Sequence, residues 1–138
     1  MKKRNKNKRD MLFYLATPYS KNKSSPAESK ESDIEDFNYN LAIIQTSHLL
    51  DLGYNIYCPV LHNHNLHRLK PRKWEIWIHQ DMIMVDKCDG LILTPHWKNS
   101  KGCLLEFAKF RDQKKSILYY QDIAKIPLLK LNEPDIEF

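Results

Sequence analysis

The 138-residue sequence predicts a doubly wound α/β domain: a Rossmann-like or flavodoxin-like parallel sheet of about four or five strands, covered on both faces to give three α/β/α layers. Three observations predict it. Short apolar runs alternate along the chain with longer segments of helical period. The runs are apolar throughout instead of at every second position, as strands buried on both faces are. Polar chemistry gathers in the segments that follow the runs, where parallel sheets place their ligands.

Residues 11–16 (MLFYLA) form the first strand, ended by the turn Thr17-Pro18-Tyr19-Ser20. Residues 21–31 (KNKSSPAESKE) have almost nothing to bury and read as a mobile loop. Ser32-Asp-Ile-Glu35 has capping-box spacing, and Ile34, Phe37, Leu41, Ile44, His48 and Leu52 recur at helical period, so a helix is expected to run to Gly53. Residues 55–58 make a second strand, closed by Pro59, and residues 60–72 read as a polar, His-rich loop. A helix over 74–87 places Trp74, Trp77, Ile78 and Met82 on one side. A strand over 90–94, a loop over 95–100, a helix over 101–114 and a strand over 116–120 complete the pattern, and residues 123–138 are weakly patterned.

The charge distribution narrows the function classes. Of 22 basic and 17 acidic side chains, six and one lie in residues 1–10, so the remaining 128 residues carry 16 of each and no net charge. The formal +5 therefore belongs to a basic tail over 1–10, expected to be disordered and to touch acidic surfaces only non-specifically, with residues 11–138 as the single folded domain. A nucleic-acid-binding fold would spread basic residues over its body among aromatics. Mean hydropathy is −0.61 and no apolar run approaches the roughly 20 residues of a membrane span. No apolar stretch of signal-peptide length follows the basic start, and Cys58, Cys88 and Cys103 are odd in number and widely spaced. Reduced thiols in a cytoplasmic protein are the expectation.

With only Gly53, Gly90 and Gly102, the chain has neither a dinucleotide-binding fingerprint nor a P-loop. His62, His64, His67 and His79 lack metal-ligand spacing; His62 and His64 are expected to line a ligand crevice, with no metal and no cofactor. The segment from Trp97 to Glu106 concentrates the chemistry. Ser100 can cap the helix that follows, whose free N–H groups favour an anion. Gly102 and Glu106 stand four apart, on one helix face, so a ligand could lie against bare backbone and reach a carboxylate. Asp81 falls within a helix, and Asp89 precedes a strand as a turn or cap residue.

Taken together, Tyr14-Leu-Ala-Thr-Pro-Tyr19, Asp81 eight residues before Asp89, and Trp97-x-x-Ser100-x-Gly102-x-x-x-Glu106-x-Ala108 resemble the nucleoside 2-deoxyribosyltransferase superfamily over about residues 12–120, its small phage and bacterial members above all. The resemblance implies cleavage of the N-glycosidic bond of a nucleoside or nucleotide. Glu106 would be the ionised nucleophile, Asp81 the acid that protonates the departing base, and Tyr19 the residue that orients the nucleophile. Thr17, Pro18, Ser100, Gly102, His62, His64 and Trp97 would contact substrate. Base-exchanging members carry an acid six residues before the nucleophile, whereas this chain has Ser100, as the nucleoside 5′-monophosphate N-hydrolases do. A serine at a helix start suits a phosphate that an aspartate would repel. The resemblance thus implies hydrolysis of a (deoxy)nucleoside 5′-monophosphate, with base exchange as the related possibility, in a homodimer. A non-catalytic nucleotide-binding or sensing module of the same fold is the alternative.

Overall fold

Four strands, β1 (Leu12–Ala16), β2 (Asn55–Tyr57), β3 (Gly90–Leu93) and β4 (Ser116–Tyr119), lie parallel in the order β2-β1-β3-β4 in the computed structural model, which describes residues 6–125. Alternate residues of the central strands feed two separate cores. Phe13, Leu15 and Ile92 pack with α1 (Glu31–Asp51), the start of α2 (Pro59–Leu69) and the short α5 (Tyr120–Ile123). Tyr14, Ala16, Leu91 and Leu93 pack on the other face with α3 (Trp74–Lys87) and α4 (Lys101–Asp112). This is the three-layer α/β/α arrangement the sequence predicts. Each large core side chain taken fully out of water contributes about 1.5–3 kcal/mol, which is why the central strands are apolar on both faces.

Two local devices hold the central strands in register. A Cβ on Gly90 would meet Phe13 Cε1 at 2.6 Å, so only glycine lets β3 lie beside β1 at that level. Asp89 accepts the Leu12 N–H at 2.9 Å and pairs with Lys6 at 3.1 Å. Burial acts to raise its pKa, but those two partners outweigh it and the carboxyl titrates below its ordinary range. Asp89 is thus the cap residue expected. Of the basic tail, residues 6–10 are described: Lys8–Asp10 form a 3-10 turn and Lys8 Nζ sits 4.1 Å above the Tyr54 ring. Residues 1–5 and 126–138, including most of the weakly patterned C-terminal stretch, lie outside the described residues.

Three expectations change. Residues 60–72 are not a loop: most of them form α2, opened by Pro59 at its first position. Three histidines and two asparagines hide the helical period, because this helix docks through polar contacts, with Arg68 reaching back to α1. α1 also turns a different side inward. Phe37 and Ile44 are 65% and 64% exposed, and Glu35, Ala42, Gln45, Thr46 and Leu49 are buried beside His48, the one residue of the expected set that is buried. The ion pair of Glu35 with Arg68 and the packing of Ala42 and Leu49 decide the rotation over the apolar spacing. The capping box is not formed either: α1 starts at Glu31 behind Lys30, with no side-chain cap, because Glu35 is committed to Arg68. Gly53, at φ +93°, does end the helix in the conformation glycine favours.

Candidate functional site

The carboxyl ends of β1 and β3 adjoin at the point where the strand order reverses, the position where doubly wound sheets open a crevice. A cleft of about 650 Å³ opens there. All three segments singled out from the sequence contribute to its lining: Thr17 and Tyr19 after β1, Asn63, His64 and His67 from α2, and Asn99 and Ser100 at the approach to α4.

One side of the cleft belongs to α4 and α3. Ser100 caps α4, its Oγ accepting the Cys103 N–H at 3.3 Å, which leaves the hydroxyl proton to donate elsewhere. Gly102 follows in the first turn. A Cβ there would meet only Ser100 Oγ, at 3.9 Å, so no protein neighbour demands glycine, and the bare backbone faces the cleft. One turn on, Glu106 lines the cleft although it is only 5% exposed. Burial pushes its carboxyl up to about 8, helped by the charge of Asp81 and opposed by the Tyr14 hydroxyl. Tyr14 Oη is buried and makes no hydrogen bond of good geometry, so it acts on Glu106 as an electrostatic neighbour. Asp81, from α3, accepts from Asn63 Nδ2 at 3.2 Å; burial raises it to about 6 and that hydrogen bond restrains the rise. Among the described residues no cation pairs with Asp81 or Glu106. Two carboxyls, Glu106 raised in part by the charge of Asp81 and neither met by a cation, share a water-accessible hollow. Such a pair can divide one proton between an acid role and a nucleophile or base role.

The other side belongs to the β1 exit, α1 and α2. Tyr19 Oη lies 2.6 Å from His64 Nδ1, and His67 Nδ1 accepts from Trp77 Nε1 at 3.3 Å. Glu35 here is answered by Arg68 at 2.8 Å. At the mouth, Lys101 Nζ lies 4.5 Å from the Trp74 ring centroid, a cation held over an aromatic face.

The structure brings together Glu106, Asp81, Tyr19, Thr17, Ser100, Gly102 and His64 of the residues picked from the sequence. It leaves three out. His62 is exposed on the outer side of α2, because helical winding separates it from His64. Trp97 packs under the start of α4 against Phe107, with ring centroids 4.8 Å apart, and Pro18 borders a second hollow beside Phe37 and Leu41. The tyrosine beside the expected nucleophile is Tyr14, not Tyr19, whose hydroxyl is engaged by His64. Sequence reading misses Tyr14 because it sits in an apolar strand like any core aromatic; its phenol is the one polar atom in that run of side chains. It also misses Asn63, whose signal was masked by the loop reading of α2. The expectation of an ionised Glu106 changes too: burial keeps its proton on near neutrality.

Among the described residues no group of three or more His, Cys, Asp or Glu side chains is placed to hold a metal ion, and no helix is long and apolar enough to cross a membrane. Cys58, Cys88 and Cys103 are buried and unbridged. No curated protein matches the chain. Residues 11–122, which span the whole sheet and every cleft-lining residue named above, match a family described as Domain of unknown function (DUF1937), and the chain belongs to that family.

Proposed function

We propose that the cleft cleaves the N-glycosidic bond of a (deoxy)nucleoside 5′-monophosphate through a covalent glycosyl–Glu106 intermediate. The observation that carries this reading is the pair of unneutralised carboxyls in one cleft, Glu106, one helical turn beyond Gly102 on α4, and Asp81 from α3. The resemblance to the nucleoside 2-deoxyribosyltransferase superfamily supports it, since the same residues carry the motif. Phosphate rests against the α4 N-terminus and the Ser100 hydroxyl, and the absent side chain at Gly102 lets the sugar approach. A Glu106 carboxylate oxygen then bonds to the anomeric carbon as the carbon–nitrogen bond breaks. The electron pair leaves with the base, which takes the proton of Asp81. Water next attacks the same carbon, the ester bond to Glu106 breaks, and the water's proton returns to Asp81, releasing sugar 5-phosphate.

The productive form has the charge on Glu106 and the proton on Asp81, the reverse of the resting preference. The developing positive charge at the anomeric carbon favours it in the reaction. kcat/KM follows a bell with limbs near 6 and 8. The reading carries with it a cytoplasmic setting, where free nucleotides are found, and a homodimeric assembly. A second reading, nucleotide sensing without turnover, draws on one observation: a protonated Glu106 is a hydrogen-bond donor well suited to binding alone.

Incubation with dCMP, dGMP, the matching deoxynucleosides and NAD, followed by chromatography of released base, separates the two. Cleavage requires free base from a monophosphate, lost in Glu106→Gln. Binding of a monophosphate with no base released supports sensing instead. Asp81→Asn sharpens the roles: it slows base release from dGMP but spares the first-turnover release from 7-methyl-dGMP, whose leaving group already carries its positive charge and needs no proton, while the later attack of water, which uses Asp81 as base, slows with both.

A further inference from the structure

The wall opposite the acid pair carries a chain of hydrogen bonds and one close charge contact that the proposed chemistry leaves unused. His64, 5% exposed, has Tyr19 Oη at 2.6 Å from Nδ1 and Asp36 Oδ1 at 3.3 Å from Nε2. The Tyr39 ring stacks on it with centroids 4.2 Å apart, which fixes the imidazole plane. Asp36 in turn accepts from Arg68 Nη2 at 2.7 Å and Nε at 3.2 Å, while Arg68 Nη1 holds Glu35 at 2.8 Å. An imidazole that faces a carboxylate through Nε2 carries its proton on that nitrogen, and the neutral ring then has a bare Nδ1. The O–H proton of Tyr19 fills it.

We propose that Tyr19 is a specificity residue of this cleft: its one proton is committed to His64, so its oxygen meets the ligand only as an acceptor and selects a ligand with a hydroxyl or N–H donor at that point. Tyr19 and His64 both line the cleft, so this polarity is presented to whatever binds there. His64 and Asp36 are positioning residues that set the polarity without touching the ligand's donor. Protonating His64 would place a hydrogen on Nδ1, turn Tyr19 into the acceptor of that hydrogen, and aim its own proton into the cleft. Burial of the ring opposes this, as do the charges of Arg68 and His67, while Asp36 and Glu35 favour it. The balance lies below the ordinary histidine range, so the acceptor form prevails at neutral pH. The choice of nucleotide probes rests on the N-glycosidase reading; the hydrogen-bond polarity does not.

The ring nitrogens of His64 report the tautomer directly in the ligand-free protein by nitrogen-15 NMR, with His64→Gln to assign the signals. The proposal requires the proton on Nε2 at neutral pH, and a proton on Nδ1 would overturn it whether or not any nucleotide is cleaved. Binding is then measured in Glu106→Gln, which cannot consume the probe, using dGMP, 2′,3′-dideoxy-GMP and dIMP. Adding Tyr19→Phe weakens dGMP about tenfold, the worth of one good hydrogen bond, and the probe that no longer senses the change names the donor, a sugar hydroxyl or the guanine amine. His64→Gln, whose amide oxygen still accepts from Tyr19 and whose NH₂ still faces Asp36, keeps dGMP affinity within about twofold and flattens its pH dependence below the ordinary histidine range. No loss with dGMP, or an equal loss across all three probes that persists with 1-methyl-dGMP, which lacks the ring N–H they share, would overturn the proposal. Base release together with an Nδ1–H tautomer sinks this proposal alone, whereas a discriminating Tyr19→Phe without base release sinks only the cleavage reading.

Discussion

Two glutamates on opposite walls of the cleft are equally hidden, Glu35 at 6% and Glu106 at 5% exposed, yet their surroundings differ in kind. Glu35 is met by the Arg68 guanidinium at 2.8 Å and has His67 at 3.9 Å, so its charge is answered by the fold. Glu106 has a phenol and another acid for neighbours and no cation among the described residues. A buried acid with its own arginine serves attachment, here of α2 to α1. A buried acid left without one costs stability, and such groups collect where chemistry or binding needs them. The difference lies in who faces the carboxyl, not in depth.

The largest effect expected from that contrast is on activity. Glu106→Gln lowers base release by at least about a thousandfold while thermal stability holds or rises, because an amide needs no countercharge. Glu35→Gln does the opposite: it strips the charge from the Arg68 pair and costs about 1–2 kcal/mol, discounted for an Arg68 side chain that is about a third exposed. Thermal melts alongside the base-release assay check both, and a stability loss for Glu106→Gln that exceeds that of Glu35→Gln would erase the distinction between the walls.

The pH dependence of stability comes next. The folded carboxyl of Glu106 is raised to about 8 from an ordinary 4.5, so folding takes up a proton across that interval. The stabilising contribution of the protonated form is therefore complete below about 4.5 and is lost as pH rises through about 8. Urea denaturation of the wild type across this range should fall relative to Glu106→Gln by on the order of a few kcal/mol. Parallel curves would mean that Glu106 is hydrated or paired.

Much of this was legible in the sequence, for identifiable reasons. Strands β1 and β3 could be placed because Phe13, Leu15, Leu91, Ile92 and Leu93 announce burial by hydrophobicity alone, and α3 because Trp77, Ile78 and Met82 recur at helical period, although Trp74 at its start is exposed. The acid side of the cleft followed, since Gly102 and Glu106 stand four apart on one helix face and Ser100 is a typical cap at its start. The histidine side was not legible. Its helix α2 is held by Arg68, Asn63 and His64, whose partners Asp36, Asp81 and Tyr19 are 18 to 45 residues distant in sequence. Periodicity reports contact with oil, not with a partner charge. The same blindness turned α1 the wrong way, whereas the expected nucleophile's neighbour was placed at Tyr19 instead of Tyr14 by the motif resemblance.

Smaller effects sharpen the phosphate side. Ser100→Asp places a negative charge at the α4 start and should weaken dGMP about tenfold while deoxyguanosine changes little; an equal effect on both would remove phosphate from that position. Gly102→Ala replaces a poor helix former where a Cβ meets nothing closer than 3.9 Å, so the protein gains up to about 1 kcal/mol in melts yet binds dGMP more weakly. Stabilisation with undiminished binding would show that the bare backbone at 102 serves the helix and no ligand.

The most direct trial of Glu106 as nucleophile is mass spectrometry of the protein quenched during turnover of dGMP or dCMP. An added mass of one deoxyribose 5-phosphate, confined to the peptide that contains Glu106 and absent in Glu106→Gln, is the predicted result. Base released at full rate with that peptide unmodified, or with Glu106→Gln equally active, would contradict it.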